Sequence, residues 1–181
     1  MLGFSELINN KLYQRVHPTL VKKSSYIGNV DGVLNAVIID GQPIGKNIIQ
    51  GEGAGPSATT SALVSDISSI LRGNIKFPFA ISNSKRKKYI SGNISNLFFS
   101  SYIRLEVRDK YGVLSDVTKT FSKNRVSIKR ILQTPYKLKN NSSIIIITHR
   151  SKDLNIQKTL KTLAKKSYII QKPKLLRIEN G

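Results

Sequence analysis

Apolar periodicity over residues 102–178 constrains the fold of this chain most. Tyr102 to Val107 alternates as a strand and meets a turn at Asp109-Lys110-Tyr111-Gly112. Val113, Leu114, Val117 and Phe121 then repeat at helical spacing to about Lys123. Val126 to Leu132 reads as a strand, Asn140-Asn141 as a turn, and Ser143 to Thr148 as a third strand, apolar on both faces and therefore central. Leu154, Ile156, Leu160, Leu163 and Ala164 mark a second helix, and Leu175 to Ile178 a last strand. The order β-α-β-β-α-β is that of a ferredoxin-like domain.

The first half is built differently. Phe4, Leu7, Ile8 and Leu12 at helical spacing predict the tail of a helix over residues 4–12. Arg15 to Val21 is extended, interrupted by Pro18. Asp31-Gly32 is a turn, and Val33 to Ile39 and Ile44 to Gln50 are strands around a turn at Asp40-Gly41-Gln42-Pro43, which makes a hairpin. Ala62, Leu63, Ile67, Ile70 and Leu71 mark a helix with Ser57 as its N-cap and Gly73 at its C-terminal end. Residues 74–100 lack periodicity and read as a linker, with a short strand near Lys88 to Ile90.

Charge divides the chain in the same way. The net charge is +20, yet residues 1–75 carry a net of +1 and residues 76–181 the other +19. A basic half attracts phosphate without regard to sequence, but the joint enrichment in Lys, Ile and Asn is a bias that genome composition also produces, and nucleic acid is not the expected partner. With no cysteine, disulfides, thiolate catalysis and Cys-type metal sites are excluded. His17 has no partner His, Cys or nearby carboxylate, so no metal site is expected. No apolar run approaches the roughly 20 residues that span a bilayer. The N-terminus lacks a signal-peptide plan. A soluble cytoplasmic protein is the expectation.

The stretch Gly51-Glu52-Gly53-Ala54-Gly55-Pro56-Ser57 brings chemistry into view. Three glycines run into a hydroxyl-rich helix start, where unpaired N–H groups and the helix dipole suit an anion such as a phosphate. It is not a P-loop, because no Lys-Ser or Lys-Thr follows the last glycine, and it lacks the G-x-G-x-x-G dinucleotide spacing. Gly-rich turns of this kind also occur without any ligand.

Three strings carry a resemblance. Arg15-Val16-His17-Pro18-Thr19-Leu20-Val21, Val30-Asp31-Gly32-Val33-Leu34-Asn35-Ala36-Val37 and the glycine segment through Asp66 resemble the homoserine dehydrogenase family. Residues 102–178 resemble an ACT domain, whose Asp-Arg-Pro-Gly-Val-Leu signature stands here as Asp109-Lys110-Tyr111-Gly112-Val113-Leu114. The fold class that follows is α+β: a partial homoserine dehydrogenase substrate domain over residues 1–73, a linker over 74–100, and a ferredoxin-like βαββαβ ACT regulatory domain over 101–181.

The resemblance implies an NAD(P)-dependent oxidoreductase that interconverts L-homoserine and L-aspartate 4-semialdehyde, on the route to threonine, methionine and isoleucine. It places the cofactor, NADP or NAD, beside Gly53, Ala54 and Gly55, and an amino-acid effector, typically threonine, at Asp109, Gly112, Val113 and Leu114. Tyr111 departs from the proline of the signature, and a purely structural turn there is an equal alternative. A homo-oligomer is also implied. The Rossmann half, the proton-transferring lysine and the carboxylates for the substrate amine match nothing here, with only 14 residues before Arg15. No catalytic residue is therefore assigned. The chain is expected to start inside the substrate domain, to meet its substrate through the absent half, and to be inactive alone.

Two readings of other classes compete. One is a stand-alone ACT-type amino-acid-sensing module that pairs with its own copy through sheet edges. The other is an RNA-recognition module, which has the same element order but stacks bases on aromatics of its third strand. Ser143 to Thr148 has no aromatic, which disfavours it.

Overall fold

The structure is a computed structural model that describes residues 1–74, 81–136 and 140–179. In chain order the elements are β1 (Leu2–Ile8), β2 (Lys11–His17), β3 (Thr19–Leu20), β4 (Leu34–Gly41), β5 (Gly45–Glu52), α1 (Pro56–Leu71), β6 (Ile90–Ser91), β7 (Phe98–Arg108), α2 (Val113–Lys123), β8 (Ile128–Pro135), β9 (Asn141–Thr148), β10 (Ser151–Lys152), α3 (Asp153–Leu163) and β11 (Lys174–Ile178). They fall into two compact units, residues 1–21 with 89–179, and residues 22–88.

The larger unit holds the core. Its main sheet runs β3-β11-β7-β9-β8, with β10 paired to β7. Alternation along β7 buries Phe99, Ser101, Ile103, Leu105 and Val107, and along β9 it buries Ser142, Ile144, Ile146 and Thr148. Against that face α2 sets Val113, Val117 and Phe121, and α3 sets Ile156, Leu160 and Leu163. Helical spacing puts each set on one stripe, so the helices cover one side of the sheet. β9 is interior, as expected, but it alternates instead of being apolar on both faces: Ile145 and Ile147 lie half-buried on the face away from the helices. β8 is the free edge of the sheet and is exposed along nearly its whole length.

Asp116 pins the helical layer to the loop before β11. Its carboxylate accepts from Tyr168 Oη at 2.8 Å and pairs with Lys166 Nζ at 2.9 Å. The Lys166 and Tyr168 bonds hold the Asp116 carboxyl below the usual carboxylate range. Burial, with the Asp116 bond, pushes the Tyr168 phenol above its ordinary value. A carboxylate depressed on folding stabilises above its unfolded value and loses that contribution as pH falls through the folded one. The melting-temperature gap between the native chain and Asp116→Asn should therefore be full at pH 7 and should close below about pH 4. A gap independent of pH would show that the ion pair contributes nothing.

Residues 4–12 are not helical. β1 and β2 pair antiparallel from Leu2↔His17 to Ile8↔Lys11, around a two-residue turn with Asn9 at φ 49° and Asn10 at φ 60°. Paired positive φ is the twist-matched hairpin turn, and Asn tolerates it better than most residues. Nor are residues 74–100 a simple linker. Residues 75–80 lie outside the described residues, but 81–100 contain short 3-10 turns at Asn83–Lys85 and Ile94–Asn96, the strand β6 and the start of β7. The division at 73 and 100 is thus not the one along which the chain packs.

What draws residues 1–21 into the larger unit is a set of non-local contacts. β3 adds to the main sheet parallel to β11, with Thr19 opposite Arg177 and Leu20 opposite Ile178. Arg15, 7% exposed, pairs with Glu6 and, at 3.0 Å, with Glu179. The Arg15 guanidinium lies 4.2 Å from the Phe4 ring and 5.0 Å from the Phe99 ring, a cation–π arrangement. Arg177 lies 5.2 Å from the same Phe99 ring and bonds Asp153 Oδ1 through Nε and Nη2, at 3.0 and 2.9 Å.

The smaller unit contains β4, β5 and α1. β4 and β5 form the expected hairpin, displaced slightly: β4 continues to Gly41, and the turn is Gln42 to Ile44. Among its described residues only Ser25 is buried. No helix among the described residues is long and apolar enough to cross a membrane.

Candidate functional site

The glycine segment joins β5 to α1. The hairpin register ends at Leu34↔Glu52, and Gly53 N–H then donates to Val33 C=O at 3.1 Å, which closes the strand pair. A Cβ on Gly53 would lie 1.3 Å from Asn35 Nδ2, so the Asn35 carboxamide occupies the space that the missing side chain leaves. Gly55 has φ 118° and ψ 151°, a region open essentially to glycine alone, and a Cβ there would meet nothing within 4 Å. Gly53 is therefore crowded by a movable neighbour, whereas Gly55 is required by its own backbone.

Gly55 is also the N-cap of α1, which corrects the expectation of Ser57. Pro56 takes the first helical position, where a fixed φ and an absent N–H cost nothing, and Ser57 falls inside the first turn. Thr59 N–H and Oγ1 both bond Gly55 C=O, at 3.1 and 2.9 Å. No side chain caps this end, so the donors of the first turn face outward from an exposed loop. Gly73, at φ 73°, closes the helix: its N–H reaches Ile70 C=O and Asn74 N–H reaches Ser69 C=O, the two bonds of a Schellman motif.

The second expected site is the β7–α2 turn. Asp109 N–H donates to Asn140 C=O at 2.8 Å, and Asp109 Oδ1 accepts from Gln133 Nε2 at 3.3 Å. Gly112 caps α2 in the left-handed region at φ 82°, and Asp116 N–H returns to its carbonyl at 2.9 Å. Val113 belongs to the core, Leu114 is 39% exposed, and Tyr111 projects fully into solvent. Of the four effector candidates, Val113 is thus a packing residue, and Asp109 is held by Gln133, a residue on β8 that no local signal singles out. α2, like α1, has no side-chain cap.

His17 and Asp31 have structural surroundings. His17 stacks on Phe4 with ring centroids 5.5 Å apart, and its Nδ1 lies 2.9 Å from Thr19 Oγ1. Asp31 C=O accepts from Leu34 N–H at the turn where Gly32 has φ 64°. Among the described residues no group of three or more His, Cys, Asp or Glu is placed to hold a metal.

Fold and segment together define a class: an α+β chain with a glycine-rich strand-to-helix junction followed by a ferredoxin-like domain. Residues 4–68 match the Homoserine dehydrogenase family model, and residues 101–167 match the ACT domain model. The chain matches the C-terminal part of homoserine dehydrogenases, with a Homoserine dehydrogenase segment followed by an ACT domain. It is 29% identical over 180 residues to the homoserine dehydrogenase of Helicobacter pylori, covering 99% of this chain and 42% of that one. To the Mycobacterium leprae homoserine dehydrogenase it is 30% identical over 172 residues, covering 91% and 38%. A crystal structure of a homoserine dehydrogenase from Thiobacillus denitrificans superposes with a TM-score of 0.83 at 27% identity, covering 98% of this chain and 41% of that one. The chain thus spans about two-fifths of the length of the relatives it matches.

Proposed function

We propose that this chain supplies the C-terminal part of an enzyme that interconverts L-homoserine and L-aspartate 4-semialdehyde with NADP or NAD. The observation that carries the reading is the Gly53–Gly55 junction within the family match: Asn35 fills the room beside Gly53, Gly55 holds φ 118°, and the uncapped first turn of α1 opens beyond it. At Gly55 the backbone lets a ligand approach without meeting a side chain, and a helix N-terminus favours the pyrophosphate of a dinucleotide. Gly53, Ala54 and Gly55 form one wall of the cofactor site. The hydride is the cofactor's chemistry; these residues bind and orient it. The groups that move the proton and hold the substrate amine belong to the remaining catalytic portion.

The ACT unit is the sensor of the same enzyme. Asp109, held at the β7–α2 turn, together with Gly112 and the N–H groups that open α2, receives the effector, with threonine as its ligand and a homo-oligomer as its setting. Leu114 borders that turn. One experiment tests both parts. NADPH oxidation by L-aspartate 4-semialdehyde should be absent with the 181-residue chain alone and should appear when the remaining catalytic portion of a homoserine dehydrogenase is added. L-Threonine should then lower the rate. Turnover by the chain alone contradicts the division of the site, and a rate indifferent to threonine leaves the ACT turn a structural feature.

A further inference from the structure

We propose that the face of the main sheet turned away from α2 and α3 holds a site for a small organic acid, a carboxylate carried on an apolar or aromatic body. A cleft of about 500 Å³ opens there, lined by Leu20 of β3, Tyr102 and Arg104 of β7, and Lys174 and Leu176 of β11. Clefts of this volume suit a small molecule. The site lies wholly within the larger unit and does not depend on the catalytic reading above.

Strand register builds it. In the antiparallel β11–β7 pair Leu176 stands opposite Tyr102 and Lys174 opposite Arg104, while β3 brings Leu20 to the far side of β11. Alternation turns Ile103 and Leu175 toward the helices and leaves Tyr102, Arg104, Lys174 and Leu176 on the other face. The same face continues onto β9 with Ile147 opposite Tyr102 and Ile145 opposite Arg104. Its floor is apolar, and the two cations stand side by side along one edge of the cleft.

Those cations set the chemistry of the occupant. Like charges directly opposite on neighbouring strands repel. Elsewhere in this unit the cations have carboxylates of their own: Arg15 has Glu6 and Glu179, Arg177 has Asp153, and Lys166 has Asp116. Lys174 pairs with no carboxylate among the described residues. Arg104 is only partly answered: its Nε lies 3.3 Å from Glu106 Oε1 without hydrogen-bond geometry, and the other oxygen of that carboxylate accepts from Tyr136 Oη. An anion between the Arg104 guanidinium and the Lys174 ammonium removes the repulsion and gives both a partner. Glu106 is the one acid among the described strand residues of this face, and it is already engaged, so the ammonium of an α-amino acid finds no counter-charge here. That separates this cleft from the effector turn at Asp109. A second copy of the same face would set cations against cations, whereas Tyr102, Leu20 and Leu176 offer walls to an apolar body.

The test titrates the full 181-residue chain with phenylacetate, phenylacetamide and acetate. Phenylacetate should shift the Tyr102 ring and the Leu20 and Leu176 methyl resonances saturably. Phenylacetamide, which keeps the shape and loses the charge, should bind at least about tenfold more weakly, as should acetate, which loses the ring. Lys174→Gln and Arg104→Gln should each weaken phenylacetate by about tenfold. Lys174→Gln should also raise the melting temperature of the free protein by about 1–4 °C, because it removes one of two opposed like charges. A lysine with a merely structural role would not link the two effects. The proposal is overturned if these resonances do not respond, if the amide or acetate binds as tightly as phenylacetate, or if either variant binds like the native chain. A lower melting temperature for Lys174→Gln also overturns it, and so do shifts confined to the β7–α2 turn, which would place the acid at the effector turn instead.

Discussion

Arg15→Ala should lower the stability of the larger unit by about 3 kcal/mol, near the low end for removing one member of a buried ion pair. The Arg15 side chain is 3% exposed and joins Glu6 of β1 to Glu179 beyond β11, with the rings of Phe4 and Phe99 against its guanidinium. Its loss leaves Glu179, 20% exposed, without that counter-charge; Glu6 at 44% exposure rehydrates more easily, which keeps the cost at the low end. For a unit of this size the melting temperature should fall by roughly 10–20 °C. A calorimetric shift under about 3 °C would show that the β1–β2 hairpin is held by strand pairing alone.

Gly55→Ala should raise the KM for NADPH of the assembled protein by about 10- to 100-fold, with a smaller change in kcat. Gly55 sits at φ 118° and ψ 151°, where an L residue is strained by about 1–3 kcal/mol. Since the added Cβ meets nothing within 4 Å, the effect is one of backbone conformation rather than of a clash. Relaxing that strain rotates the peptide leading into Pro56 and re-aims the first turn of α1. Each 1.4 kcal/mol lost from binding is a factor of ten in affinity. Gly53→Ala should have a smaller effect, because the atom it meets is the end of the exposed Asn35 side chain, which can swing aside. Equal KM values for the native protein and Gly55→Ala, from initial rates at varied NADPH, would remove this residue from the cofactor site.

Legibility in the sequence followed the range of the forces involved. α2 was read to its last residue because Gly112, Val113, Val117 and Phe121 carry both the start signal and the period. The hairpin of β4 and β5 and the helix end at Gly73 were equally local. β1 misled because four apolar residues at helical spacing fit a two-strand ribbon as well, and the deciding feature was the left-handed pair Asn9-Asn10. Pro56 was an available signal for the true N-cap, since Pro favours the position just inside a helix. The β3–β11 pairing and the Arg15–Glu179 bridge, 164 residues apart in sequence, have no local signature at all. Arg15 was legible only as part of a family string, and the structure gives it a structural role: it ties the start of the family match to the ACT unit. At the sites, the glycines were legible; Asn35, packed against Gly53, stood only inside a family string, and Gln133, which holds Asp109, had no signal at all.

The central claim is that Gly53, Ala54 and Gly55 face a bound dinucleotide. Amide exchange over residues 51–59 in the assembled protein, with and without saturating NADPH, tests it directly. The account predicts slower exchange across this segment when NADPH is bound and no change there with L-homoserine alone. Protection by NADPH that appears only in the remaining catalytic portion, with residues 51–59 unaffected, would contradict it.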